Sequence, residues 1–259
     1  MKFDHDDEQR LLSESVRRLL ARDYTFDARR RIVASDRGFS DSVWASFAEL
    51  GLLGLGIHPD YGGFGGGAVT TQSVMEAIGE ALVVEPYLST VGLCARLVER
   101  GAVDAQRARL LAEVIAGRLV LALATTEDDS GYDHAHVRTT ARREGGGYVL
   151  DGDKRVVLHA PDAQRLVVSA RTGGLHAQRS GVSLFLVDPA AAGVALTAYR
   201  TLDNVRAADV ALAGVRVAID DRIGTEGGAF ELLDEAIDYA TALICAEAVG
   251  ALGYAHAAT

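Results

Sequence analysis

Cysteine is scarce, basic residues are outnumbered, and long apolar runs are missing. The 259 residues hold only Cys94 and Cys245, with no CxxC and no His/Cys spacing of a metal site. Both lie in apolar helical contexts and read as core thiols of a reduced, cytoplasmic chain, with a disulfide as the alternative. Asp and Glu number 36 against 26 Lys and Arg, a net charge of −10. That argues against non-specific nucleic-acid binding, which needs a basic surface. A nucleotide-type ligand held by a few local cations stays open. No apolar run reaches the roughly 18 residues of a membrane span. The opening MKFDHDDEQR has no apolar stretch of the kind a secretory signal needs.

What is present is globular: 49% hydrophobic and 24% charged residues, enough for a sizeable core in one or two domains. Asp6 to Ala21 reads as a helix capped by Asp6 or Asp7, with Leu11, Leu12, Val16, Leu19 and Leu20 on one face. Phe26 to Ala34 is a second helix. A third starts at a Ser40 or Asp41 cap, buries Trp44 and ends at Gly51. The run from His58 to Gly67 is glycine-rich, but it lacks the G-K-[ST] of a phosphate loop and reads as a connection, with His58 a plain loop residue. Helices over Val69–Leu82 and Leu88–Arg100 are parted by Pro86, and Ala102–Ala116 is closed by Gly117.

From Leu121 to Val157 the pattern changes to period-two alternation broken by glycine turns, which is antiparallel β-structure. Expected strands cover Val137–Arg142, Tyr148–Leu150, Leu166–Ala170, Val182–Val187, Val194–Ala198 and Val210–Val217, with turns at Gly145–Gly147 and Asp151–Gly152. Gly224–Gly228 is a hinge. Ala229–Thr259 is one apolar helix with Leu232, Leu233, Ala236, Ala240, Leu243, Ile244 and Val249 on its buried side. Such a helix needs partners, so a dimer or tetramer is expected. His134, His136 and His159 cluster in sequence, the first two on one expected strand face, without a carboxylate or Cys set at metal spacing. Glu226, Asp234, Glu235 and Asp238 read as a solvated acidic face.

In order, Thr126, Glu127, Gly131 and Asp133, then Arg138, Thr139 and Ala141, then Tyr148, Leu150, Gly152 and Lys154 resemble the middle β-domain of the acyl-CoA dehydrogenase family. Its pattern there is T-E-P-x-A-G-S-D, R/K-T-x-A and Y-x-L-x-G-x-K. The glycine-rich run similarly resembles the P-E-x-Y-G-G-x-G of the family's N-terminal helical domain. The resemblance implies an α+β multidomain chain. It has an N-terminal all-α domain (1–118), a middle antiparallel, barrel-like β-domain (119–224) and the first helix of a C-terminal helical bundle (225–259). That amounts to about two thirds of a typical member. Either the chain is a fragment or a partner supplies the rest.

The implied reaction is FAD-dependent α,β-desaturation of an acyl-CoA thioester, with electron-transfer flavoprotein or a similar acceptor as partner. Leu123, Ala124, Thr125 and Thr126 match the positions that line the flavin, and Val156 and Leu158 stand where the family has an aromatic residue and a Thr or Ser beside the ring. Tyr132 replaces the Ser that meets the CoA arm, and Asp128 replaces the Pro after T-E. With Asp129 it is expected to repel phosphate. Glu127 reads as structural, and so does Glu247 in the last helix. The resemblance gives no catalytic residue within the chain, because the family's base falls beyond Thr259. These departures look like the heteromeric members used in steroid side-chain or aromatic-acid degradation. The alternatives are therefore a non-catalytic partner subunit that completes another chain's FAD or acyl-CoA site, and a related flavin monooxygenase or nitroalkane oxidase.

Overall fold

A computed structural model describes residues 7–259. Asp6, one of the two expected caps, lies outside them. Helix α1 (Asp7–Asp23) buries Val16, Leu19 and Leu20, while Leu11, expected on that face, is largely exposed. Helix α2 (Phe26–Ala34) is capped by Thr25. Helix α3 (Asp41–Glu49) is capped by Ser40, whose hydroxyl accepts from the Val43 N–H at 3.3 Å. Trp44 is a core residue, and its indole N–H donates to the Gly117 carbonyl at 3.0 Å. His58 does more than fill a loop. Its Nδ1 accepts from the Asp60 N–H at 3.2 Å and caps the short turn Pro59–Tyr61.

Helix α4 (Ala68–Glu80) follows. Leu88–Ala95 then winds as π-helical turns, where a plain α-helix is expected, and continues as α5 (Arg96–Gly101). The wider turns carry Thr90 against the first strand, where its hydroxyl bridges the N–H and the carbonyl of Leu121 at 3.2 Å each. Helix α6 (Asp104–Ile115) leads into the sheet.

The strands are β1 (Leu121–Ala124), β2 (Thr140–Glu144), β3 (Gly147–Leu158), β4 (Arg165–Arg171), β5 (Val182–Val187), β6 (Val194–Arg200), β7 (Arg206–Ala218) and β8 (Arg222–Ile223). They form one sheet ordered β6-β7-β3-β2-β4-β5-β8, with β1 added in parallel along β4. The sheet is open, ending at β6 and β8, so the barrel-like β-domain that the resemblance implies is not closed. Asp151–Gly152 is not a turn. β3 runs straight through it, and the register against β7 slips there by one residue. Val137 is not in a strand, and His134 and His136 lie in an irregular segment with no shared strand face.

Helix α7 (Phe230–Ala258) buries Phe230, Leu233, Ala236, Ala240, Leu243 and Ala246 against the N-terminal helices. It meets α4 at glycines: a Cβ on Gly79 would stand 1.9 Å from the Glu247 carbonyl oxygen, and one on Gly250 1.9 Å from that of Glu76. Backbones this close leave no room for any side chain at those positions. Ile244 and Val249, expected on the buried side, are 48% and 58% exposed, and Cys245 is exposed as well. After Asp238 the helix carries a single charged residue, Glu247, so composition could not say which stripe of that part faces inward. The same composition makes α7 long and apolar enough, at mean hydropathy 1.4, to pass for a membrane span. One row of it packs on α4 and the π-helical segment, while only 22% of that apolar stretch is buried. The expected acidic face is also divided. Glu226 accepts from the Tyr148 hydroxyl at 2.7 Å, and Glu235 bridges Arg96 and Arg100 at 2.9 and 3.2 Å.

Between α4 and the π-helical segment, Glu85 is buried. One carboxyl oxygen accepts from the Ser40 N–H at 3.1 Å, and the other has no partner among the described residues. Burial raises its pKa to about 7, partly offset by the Tyr24 hydroxyl and the Ser40 N–H. An acid whose folded pKa lies above its unfolded value binds more protons when folded, so its stabilisation is full below the unfolded pKa and is lost as pH rises toward 7. We expect wild-type stability to fall by roughly 2–3 kcal/mol more than that of Glu85→Gln between about pH 4.5 and 7, in urea unfolding at a series of pH values. Parallel pH profiles for the two proteins would contradict this.

Candidate functional site

The site grows from the C-terminal end of β1. After Ala124 the chain leaves the sheet as Thr125-Thr126, and Glu127 turns inward. Its turn is closed by Ser130, whose hydroxyl accepts from the Glu127 N–H at 3.0 Å and donates to the Glu127 carbonyl at 2.9 Å. The Glu127 carboxylate accepts from the Arg138 N–H (2.7 Å), the Thr139 N–H (3.1 Å), the Thr139 hydroxyl (2.7 Å) and Lys154 Nζ (2.7 Å). Lys154, on β3, is fully buried and donates also to the Ser169 hydroxyl on β4 at 2.9 Å. Burial works against the Glu127 carboxylate, but the ammonium, the Thr139 hydroxyl and the Arg138 N–H outweigh it and hold its pKa below the usual value. Burial lowers the Lys154 pKa to about 8, opposed by Glu127. The structural reading of Glu127 agrees with these contacts.

Next to this pair, the Arg155 N–H donates to the Thr126 carbonyl at 2.8 Å. That bond brings the exit from β1 beside the second half of β3, and we term the exposed residues near it, Thr126, Val156 and Leu158, the ledge. Thr126 is exposed, Val156 and Leu158 are 51% and 39% exposed, and Leu123 and Thr125 are half-buried. Ala124 is buried and points to the core. The Thr125 and Thr126 side-chain hydroxyls have no hydrogen-bond partner among the described residues. The acidic turn is not bare, as the sequence suggests. Asp128 makes a two-pronged pair with Arg155 (2.9 and 3.0 Å), which lowers its pKa, and Asp129 lies 2.8 Å from Arg138.

Tyr132 stands apart. Its side chain is fully exposed, with no hydrogen bond or ring contact among the described residues. His136 packs edge-on against His176 at 5.0 Å, and His159 is buried in a left-handed backbone conformation. The described residues contain no group of three His, Cys, Asp or Glu placed to hold a metal.

Sequence reasoning passes over Arg171 and Asp209. The Arg171 guanidinium donates to the carbonyls of Ala135, Val137, His176, Gln178, Ser180 and Gly173 at 2.7–3.4 Å, which ties the segment after Glu127 to the β4–β5 loop. Its only sequence signal is an Arg ending an apolar strand before Thr172-Gly173-Gly174. Asp209, on β7, accepts from the Val156 N–H, the Tyr199 hydroxyl and Arg155.

Removing one member of a buried ion pair strands the other. Lys154→Met is expected to cost roughly 3–5 kcal/mol in urea unfolding, and Lys154→Met with Glu127→Gln together less than the sum of the two single changes. A Lys154→Met cost under about 1 kcal/mol would mean that the pair holds nothing in place.

With the geometry in hand, the chain can be set against known proteins. The family model for the acyl-CoA dehydrogenase N-terminal domain matches residues 6–118, and that for the middle domain matches residues 122–215. Acyl-CoA dehydrogenase FadE12 of Mycobacterium tuberculosis is 30% identical over 219 residues, 82% of this chain and 55% of its own length. Mitochondrial isovaleryl-CoA dehydrogenase of Oryza sativa subsp. japonica is 28% identical over 251 residues, 95% of this chain and 61% of its own length. The chain thus spans little more than half of these relatives. Among solved structures, the FAD complex of PigA superposes with a TM-score of 0.89 at 25% identity, over 98% of this chain and 67% of that one. The ChsE4-ChsE5 complex from Mycobacterium tuberculosis gives 0.81 at 25% identity, over 92% and 61%. Helical and sheet segments fall in the family's order, and the two domain models together account for most of the sequence: the chain belongs to the acyl-CoA dehydrogenase family.

Proposed function

We propose that this chain forms the flavin-holding part of an acyl-CoA dehydrogenase that introduces an α,β double bond into an acyl-CoA thioester. The observation that carries the reading is the ledge itself, where main chain from the end of β1 and side chains from the end of β3 meet over a buried ion pair. The residues fit FAD. Val156 and Leu158 offer apolar contact to the face of a flat ring, Thr125 and Thr126 offer unused hydroxyls to its polar edge, and the nearby acids are neutralised by arginine. FAD, when bound there, supplies the acceptor for the β-hydrogen.

The chain's own contribution is to bind and orient. Leu123 and Ala124 set the strand end, and Glu127 and Lys154 fix the two segments so that the ledge is formed before a ligand arrives. Tyr132, projecting from the turn after Glu127, is the residue this reading gives to the CoA arm. It names no catalytic base among residues 1–259. In this reading the chain works within a dimer or tetramer. Electrons pass to an electron-transfer flavoprotein or similar acceptor, and the setting is cytoplasmic, in fatty acid or steroid degradation. A second reading is favoured by Val156 and Leu158, which give the ring neither an aromatic shield nor a hydroxyl. In it, the chain is the non-catalytic subunit of a heteromeric enzyme.

The test is the visible absorbance of the purified chain, alone and co-expressed with the product of its neighbouring gene. One flavin per chain without a partner is the expected result for the dehydrogenase reading. Flavin retained only in the complex favours the partner-subunit reading. No flavin in either preparation overturns both.

A further inference from the structure

Two bulges interrupt the β3–β7 ladder, and they are built alike. In the first, Leu150 faces Val215 and Gly152 faces Leu212, so Asp151 alone opposes two residues of β7, Ala213 and Gly214. Gly214 takes a left-handed backbone (φ +65°), and its N–H, turned out of the ladder, donates to the Asp151 carboxylate at 2.7 Å. In the second, Lys154 faces Val210 and Val157 faces Ala208, so Asp209 alone opposes Arg155 and Val156. Val156 takes the left-handed backbone (φ +50°), and its N–H donates to the Asp209 carboxylate at 3.2 Å. Each bulge therefore has an aspartate on the opposite strand that satisfies the freed N–H of the left-handed residue.

The difference is the residue that bends. Glycine enters this conformation at no steric cost, and the first bulge uses it. A β-branched residue is a strong outlier there. The costly choice sits on the ledge, and the costless one does not. Bulges re-aim side chains, and this one turns Val156 outward beside Leu158 and Thr126. Asp209 is also held more firmly than a single bond requires. The Tyr199 hydroxyl donates to the same carboxylate oxygen at 2.9 Å, and Arg155 reaches the other at 3.4 Å.

We infer that Asp209 is a positioning residue for the ledge: it holds Val156 in its left-handed conformation and, through it, sets the affinity of the ledge for the flavin ring. The inference rests on the flavin reading above for its second half only. Asp209→Ala frees Val156 to relax toward an extended backbone and withdraw from the ledge. Asp209→Asn keeps an oxygen for the Val156 N–H and the Tyr199 hydroxyl and loses only the charge facing Arg155. Val156→Gly removes the need for a clamp.

The experiment is a thermal double-mutant cycle between positions 156 and 209 on the full chain. It is combined with FAD titration of whichever preparation, chain or complex, holds flavin as wild type. Expected are a fall in Tm of about 3–6 °C for Asp209→Ala, less than half of that in the Val156→Gly background, and FAD binding weakened about tenfold by Asp209→Ala but within about threefold of wild type for Asp209→Asn. Equal falls in Tm in both backgrounds overturn the clamp. Coupling in Tm with unchanged FAD affinity in Asp209→Ala makes Asp209 purely structural and overturns the positioning role. A wild type without flavin in every preparation overturns the functional reading and the affinity half with it, while the cycle in Tm still decides the clamp.

Discussion

The structure around the ledge depends on one buried ion pair, Lys154 with Glu127. Taking an ammonium and a carboxylate out of water costs several kcal/mol for each ion, and the attraction between them offsets that only when the remaining hydrogen-bonding capacity is also used. Here it is. Glu127 takes two backbone N–H groups and the Thr139 hydroxyl besides Lys154, and Lys154 reaches Ser169 as well. Each contact ties a different piece of chain. The pair joins the exit from β1, the segment entering β2, the centre of β3 and the middle of β4. An apolar core could pack those pieces with the same density, but it would not fix their register at a strand end where backbone groups leave the ladder.

Other polar devices extend the frame outward. Arg171 gathers six carbonyls from two loops that have no ladder partners of their own, and so keeps the segment that runs from Tyr132 to Thr139 close to the sheet. Asp151 and Asp209 each close a bulge. On the helical side, the π-helical turns set Thr90 on Leu121, and the glycine contacts of α4 and α7 draw the last helix in. Helices and sheet thus converge on β1, the strand that ends at the ledge. The functional reading needs this convergence, because a flat cofactor is gripped by a surface formed in advance.

Much of the architecture is legible in the sequence. Ser40 is a cap because a serine precedes an apolar period, and Trp44 is core because it falls on that period. The alternation from Leu121 onward marks a sheet. The failures have physical causes. Asp-Gly is a hairpin signal, but an Asp that can accept a freed N–H, next to a glycine, serves a bulge as well, and Asp151–Gly152 does the latter. Alternation near His134 and His136 mimics a strand, although Arg171, not a neighbouring strand, satisfies the carbonyls of Ala135 and Val137. Ile244, Cys245 and Val249 look buried because α7 carries only one charged residue after Asp238, and only its partners decide which stripe they cover. The left-handed Val156 leaves no local trace, since nothing in Lys-Arg-Val-Val predicts it. The motif Thr126-Glu127 with Lys154 locates the site, while Asp209, distant in sequence, becomes visible only through the register of β7 against β3.

The most direct measurement is native-state hydrogen exchange of the Arg138, Thr139 and Arg155 amides in wild type and Lys154→Met, compared with amides in α3 and α4. If the pair holds the ledge, these three amides exchange in wild type only with the most protected core of the sheet. In Lys154→Met they then exchange through a local opening, while α3 and α4 lose protection only by the change in global stability. Uniform loss of protection across both regions, or no change at Arg138, Thr139 and Arg155, would contradict the account and leave the buried pair as one core contact among many.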